Sequence, residues 1–126
     1  MLKAGIKGKQ KMKAAESNSA KTMGSGTLDV LATPAMIALM EKAAWMSVAD
    51  ELEEGQGTVG ISMDVRHSAP TPLGMEVSCE TELTEVDGRR LVFSVRAMDE
   101  RGVIGEGTHE RFIVDNEKFQ NKANTK

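Results

Sequence analysis

Leu31-Ala32-Thr33-Pro34-Ala35-Met36-Ile37-Ala38-Leu39-Met40-Glu41-Lys42-Ala43-Ala44-Trp45-Met46-Ser47-Val48 is the stretch on which the fold turns. Thr33 is a good N-cap and Pro34 suits the first helical position. The pattern predicts a helix running to about Glu54, where Gly55-Gln56-Gly57 stops it. Apolar residues occupy most of its circumference through the first three turns, so the helix is expected to be buried on nearly all sides. Its polar end, Asp50 to Glu54, is expected to emerge into solvent.

After the helix the period changes to two. Val59, Ile61, Met63 and Val65 alternate with polar or small residues, which predicts a half-buried strand. The segment from His67 to Gly74 carries Pro70 and Pro72 and cannot lie inside a sheet. Further alternating runs are Met75 to Leu83, Leu91 to Ala97, and Val103 to Asp115. Asp87-Gly88 is a hairpin signal. Before the helix, Lys3, Lys7, Lys9, Lys11 and Lys13 all fall on odd positions. That places them on one face of a strand, as a solvated edge protected by charge or as a basic patch. Ala14 to Gly26 reads as a small-residue connector without helix or strand. The tail from Glu117 is polar and expected to fray.

The order is strand, long buried helix, then four strands joined by hairpin-like connections. The helix must then be covered by the apolar face of an antiparallel sheet, an α+β arrangement. Residues 1–126 are read as a single domain, since this length leaves no room for a second.

Composition excludes several functions. Sixteen Lys and Arg against 19 Asp and Glu give a net charge of −3, a poor match for nucleic-acid phosphates. One cysteine, Cys79, permits no intrachain disulfide or multi-cysteine zinc site and suggests a reducing, cytoplasmic compartment. It falls on the inward side of its strand and reads as inert core. Two histidines make a His-rich metal site improbable, so no metal is assigned. No apolar run approaches the roughly 20 residues of a membrane span. Nine Met stand beside four aromatic residues, Trp45, Phe93, Phe112 and Phe119. They read as core fillers or as an adaptable pocket wall.

Three polar residues sit where apolar ones would be expected. Glu41 lies mid-helix, either on a solvated stripe beside Lys42 or as a carboxylate held in an apolar setting at a cost. His67 continues the odd-numbered face of its strand and is expected to point at the helix, as a satisfied core histidine or as an acid/base group. Thr33 has the N-cap to serve, yet the helix start also offers N–H groups and positive potential to a developing oxyanion. Eight residues of helix separate Thr33 from Glu41, a rotation of about 80° and a rise of roughly 12 Å, so both can line one elongated groove. A hydroxyl, a carboxylate and an imidazole together suit a hydrolase. No nucleophile elbow, phosphate-binding glycine loop or metal motif accompanies them.

With these residues in view, the sequence resembles the fluoroacetyl-CoA-thioesterase-like family of hot-dog thioesterases. The matching blocks are residues 30–41, Gly60 to His67 with Ala69-Pro70-Thr71-Pro72-Leu73-Gly74, and Gly105-Glu106-Gly107-Thr108-His109-Glu110-Arg111. Thr33, a Glu eight residues later and a His 26 after that (67 − 41) reproduce the family's triad spacing. The resemblance implies a hot-dog fold, with a central helix wrapped by a curved antiparallel sheet of about five strands. It also implies acyl-CoA hydrolysis with Thr33, Glu41 and His67 catalytic, and no cofactor beyond the CoA of the substrate. The expected assembly is a homodimer or dimer of dimers with sites near the subunit interface, without nucleic-acid or membrane partners. Gly60 matches a glycine that contacts substrate, and Arg111 an arginine placed to meet the CoA portion; read alone, Arg111 is equally a surface partner of Glu106 or Glu110. His109 is given only a strand role. The family's preference for fluoroacetyl groups depends on an aromatic gate, and residues 1–44 contain no Phe or Tyr. A broader short or medium acyl-CoA range is therefore expected. An enoyl-CoA hydratase or dehydratase and a non-catalytic acyl-CoA sensor are the alternatives.

Overall fold

The computed structural model describes residues 1–126. Its elements are β1 (Lys7–Lys13), α1 (Ala20–Met23), α2 (Thr33–Val48), β2 (Gln56–His67), β3 (Glu76–Asp87), β4 (Arg90–Asp99), β5 (Gly102–Asp115) and α3 (Asn116–Asn124). The five strands form one antiparallel sheet in the order β1-β3-β4-β5-β2, with β1 and β2 at the edges. The sheet covers α2, as the element order predicts, and the arrangement is the hot-dog fold that the resemblance implies.

Helix α2 buries Ala35, Met36, Leu39, Met40, Ala43, Ala44 and Val48. These recur at three- and four-residue intervals and make one face. The face packs on Val77, Cys79, Leu83, Leu91, Phe93, Val95 and Ile104 from the sheet. Close approach is possible because β1 carries Gly8, where a Cβ would lie 2.5 Å from the Ala43 carbonyl oxygen. Burial of Cys79 pushes its thiol up to about 12, so it stays protonated and inert.

Several expectations need correction. The helix is not buried all round: Trp45 and Met46 are 44% and 43% exposed, because the sheet of one chain covers only one flank. It ends at Val48 and continues as a 3₁₀ turn to Glu51, short of Glu54. The connector is not structureless, since Ser19 caps α1 by accepting from the Thr22 N–H and Gly24 ends it in the left-handed region. The tail is helical, with Asp115 capping α3 through the Lys118 N–H and every helical residue exposed. The lysines of β1 do line the exposed face of an edge strand. In the register of the sheet's outer face, Lys9, Glu80, Arg96, Glu106 and Arg66 form a row of alternating charge across all five strands.

The regular alternation read from Val59 to Val65 is broken by a bulge. The β2–β5 register passes from Gly60↔Arg111 to Ser62↔Glu110, leaving Ile61 unpaired and 52% exposed. A bulge shifts the facing of a strand by one residue. Met63, Val65 and His67 therefore share the helix-facing side with the even-numbered Thr58 and Gly60 rather than with Val59 and Ile61. A glycine inside a strand was the visible trace of this irregularity.

Candidate active site

The site begins at the first turn of α2. Ala32, not Thr33, is the N-cap, and it makes no side-chain capping bond. Thr33 is the first helical residue, with Pro34 following. The expected capping role is thus overturned, and the Thr33 hydroxyl is free for another partner. Backbone bonds fix the turn: Leu31 N–H donates to Thr71 O at 2.9 Å and Ala32 N–H to Asn18 O at 2.9 Å. Thr71 is itself buried and donates to Asp99 Oδ2 at 2.9 Å, which ties the Pro70–Pro72 segment to the end of β4.

His67 closes the other side. It ends β2, and Ser68 N–H donates to Ile104 O at 2.7 Å. Its Nδ1 lies 2.7 Å from Thr33 Oγ1 across 34 residues of sequence. Its Nε2 is buried with no hydrogen-bond partner in the chain. Burial lowers the His67 pKa below the ordinary 6.5, against a smaller opposing pull from the Ala69 backbone. The ring is neutral at pH 7, with one nitrogen held and the other unused. A cleft of about 300 Å³ opens here, lined among others by Ala20, Val30, Leu31, Thr33, His67 and Ala69. A larger concavity of about 700 Å³ lies on the outer face of the sheet among Lys7, Lys9, Glu80, Glu82 and Arg96. It presents no imidazole and a single apolar residue, whereas the smaller cleft gathers Thr33 and His67 beside Ala20, Val30 and Leu31.

The second group gathers around Glu41. Its Oε2 accepts from Arg111 Nη1 at 3.2 Å. Arg111 is only 5% exposed, so the surface pair with Glu106 or Glu110 does not form. Its Nε donates to Thr58 Oγ1 at 2.8 Å and its Nη2 to Thr58 O at 2.9 Å. Burial lowers the Arg111 pKa and the Glu41 charge raises it; the guanidinium stays protonated. The Glu41 side chain is 42% exposed, so it sits on the rim of the apolar helix face, in reach of both solvent and the buried cation. A Cβ at Gly60 would lie 2.6 Å from Glu41 Oε2 and 3.3 Å from His109 Cε1, so any larger residue there would push the Glu41 carboxylate aside. Thr58 and His109 belong to this group; from the sequence, Thr58 has no role and His109 only that of a strand residue. The trace of His109 was its i, i+2 spacing from Arg111, which puts both on one face of β5.

Thr33 and His67 therefore touch, and Glu41, Gly60 and Arg111 touch, but no hydrogen bond joins the two groups within one chain. Gly60 and His67 lie about 20 Å apart by strand rise.

A central helix wrapped by one antiparallel sheet is the hot-dog architecture, and comparison with known proteins places it in the thioesterase class. The family model for fluoroacetyl-CoA-specific thioesterases matches residues 14–117. The fluoroacetyl-CoA thioesterase of Streptantibioticus cattleyicolor is 44% identical over 98 residues, covering 78% of this chain and 70% of that protein. The solved structure of the fluoroacetyl-CoA thioesterase FlK superposes with a TM-score of 0.95 at 33% identity, covering 100% of this chain and 98% of that one. A variant of FlK in complex with acetyl-CoA gives a TM-score of 0.94 at 32% identity, with 98% of each chain covered. The chain belongs to the fluoroacetyl-CoA-specific thioesterase family.

The chain's two histidines give a pH test of this geometry. Both have pKa values lowered from 6.5, chiefly by burial. The unfolded chain thus takes up protons at a higher pH than the folded one. Their contribution to stability is full above about pH 6.5 and is lost as pH falls through and below that value. Thermal unfolding should show Tm declining from about pH 6.5 to about pH 5, with a shallower decline in His67→Asn. A wild-type Tm that rises over this interval would contradict the neutral, buried state of the rings.

Proposed function

We propose that this protein hydrolyses short or medium acyl-CoA thioesters to the free acid and CoA, as a cytoplasmic homodimer whose cleft lies at the subunit interface. The observation that carries the reading is the 2.7 Å contact between Thr33 Oγ1 and His67 Nδ1 at the start of the buried helix. The Thr33 hydroxyl and the first-turn N–H groups orient the thioester carbonyl and stabilise the oxyanion that forms on it. The Glu41 carboxylate delivers the attacking oxygen, directly or through a water. His67 is neutral at working pH, relays a proton and hands it to the departing CoA thiolate.

The cleft beside Thr33 is bounded by Ala20, Val30 and Leu31, and residues 1–44 contain no Phe or Tyr. Without an aromatic cover, acyl groups longer than acetyl enter. Acetyl and fluoroacetyl groups are then separated only weakly, because one small substituent in an apolar pocket is worth about 1–3 kcal/mol. The buried Cys79 thiol is in keeping with a reducing cytoplasm.

Edge strand β2 supports the dimer. It offers 12 residues with one unpaired side and carries the exposed Ile61. Antiparallel two-fold pairing of β2 with its copy would run the strands in opposite directions and carry the His67 end of one toward the Gly60 end of the other. The Thr33–His67 group of one chain then meets the Glu41–Arg111 group of the other, and a two-fold contact closes on itself.

The test is a panel of acyl-CoA thioesters scored for free thiol, with light scattering after size exclusion. The expected result is thiol release from acetyl- through hexanoyl-CoA by a species of at least twice 13.6 kDa. Enoyl-CoA conversion without thiol release would favour a hydratase. Ligand-induced stabilisation without turnover would favour a sensor. A fully active monomer would remove the shared cleft.

A further inference from the structure

We propose that His109 is a positioning residue that sets Glu41 for reaction, acting through the Arg111 guanidinium and through the bulge of β2. The inference rests on the thioesterase reading above and adds a residue to which that reading gives no role.

His109 is 1% exposed, and both of its ring nitrogens are engaged. Nδ1 lies 2.8 Å from the Ser62 carbonyl oxygen, which can only accept, so Nδ1 carries the proton. Nε2 lies 3.1 Å from Arg111 Nη1, which can only donate, so Nε2 is bare. The ring is therefore neutral and in the Nδ1–H tautomer. The Phe93 ring stacks against it at 6.2 Å between centroids. Burial, first, and the Arg111 charge both disfavour a second proton, against the Ser62 carbonyl and the charges of Glu41 and Glu110.

The hydrogens of Arg111 can be counted. Nη1 has two, and it has two partners, His109 Nε2 and Glu41 Oε2. The remaining nitrogens are held by Thr58. Without an acceptor at Nε2, one buried N–H of Nη1 is orphaned, and the 3.2 Å bond to Glu41 is the only one left to aim that nitrogen. The other nitrogen acts on the opposite wall. Ser62 is where the β2–β5 register resumes after the unpaired Ile61. Donation from His109 holds that carbonyl and, with it, the bulge that turns Gly60 against Glu41. One imidazole thus fixes both the cation that pairs with the carboxylate and the backbone beside it.

Three substitutions separate these functions. His109→Gln keeps an acceptor near the Nε2 position, His109→Asn keeps a donor near Nδ1, and His109→Phe keeps only the ring. On the best acyl-CoA of the panel, kcat of His109→Phe should fall about 10- to 100-fold with KM within about threefold, the size typical of a group that orients a working ligand. His109→Gln should recover most of that loss and exceed His109→Asn. In a Glu41→Gln background, removing His109 should have little further effect, because it acts through that carboxylate. The ¹⁵N shifts of wild-type His109 should report the neutral Nδ1–H tautomer at pH 7, a readout that holds even where a variant does not fold. Unchanged kcat in folded His109→Phe, no advantage of Gln over Asn, or an Nε2–H or doubly protonated ring would overturn the proposal. Full activity of Glu41→Gln alone would instead overturn the role of Glu41 on which it rests.

Discussion

Replacing His67 by Ala is expected to lower kcat for every acyl-CoA the protein cleaves by about 10²- to 10⁴-fold, the range contributed by a positioned acid/base group. No other imidazole replaces it: the only other histidine is His109, whose two nitrogens are held by Ser62 and Arg111. The fold should survive, because His67 is at a strand end and its hydroxyl partner Thr33 is exposed to water. In the wild type, kcat/KM should rise with pH along a limb lying below 6.5, since burial lowers the His67 pKa from that value. Loss of that limb in His67→Ala, measured by thiol release from about pH 5 to about pH 8, ties the titration to this ring. Full activity of His67→Ala across the panel would remove it from the mechanism.

Replacing Glu41 by Gln is expected to lower kcat by at least about 10²-fold, because an amide neither attacks a thioester nor takes a proton from water. The change is nearly isosteric and leaves Arg111 Nη1 an oxygen acceptor, so the contacts with Thr58 and His109 should persist. It does remove the counter-charge of a buried guanidinium. Stranding a fully buried ion costs about 3–5 kcal/mol, but the Glu41 side chain is 42% exposed, so about 1–2 kcal/mol is expected. Denaturant unfolding measures that loss separately from rate. A variant with normal kcat and only reduced stability would make Glu41 a structural partner of Arg111 and nothing more.

The two predictions differ in how far the sequence supports them. Helix α2 was legible because Pro34 and the apolar spacing that follows are local properties of the chain. The strands were legible for the same reason, since β3 and β4 keep a period of two from Val77 to Leu83 and from Leu91 to Ala97. Cys79 followed from its place in that alternation. The candidates Thr33, Glu41 and His67 were legible as polar residues on apolar elements, and their spacing pointed to the family.

What the sequence by itself determined, then, is the element order, the inward side of most strands and the identity of the polar outliers. Only the tertiary structure decided how those outliers meet. The bulge at Ile61 is a relation between β2 and β5, so alternation within β2 alone carried the wrong face back to Val59. The same shift puts Thr58 and Gly60 against Arg111 and Glu41. Thr33 reads as a cap from its neighbours, yet His67 arrives from 34 residues away and takes the hydroxyl. Arg111 finds its counter-charge 70 residues away on α2, not at Glu110 beside it. Local periodicity reports a residue's own face of its element, whereas a hydrogen-bond partner is set by register and packing between elements distant in sequence.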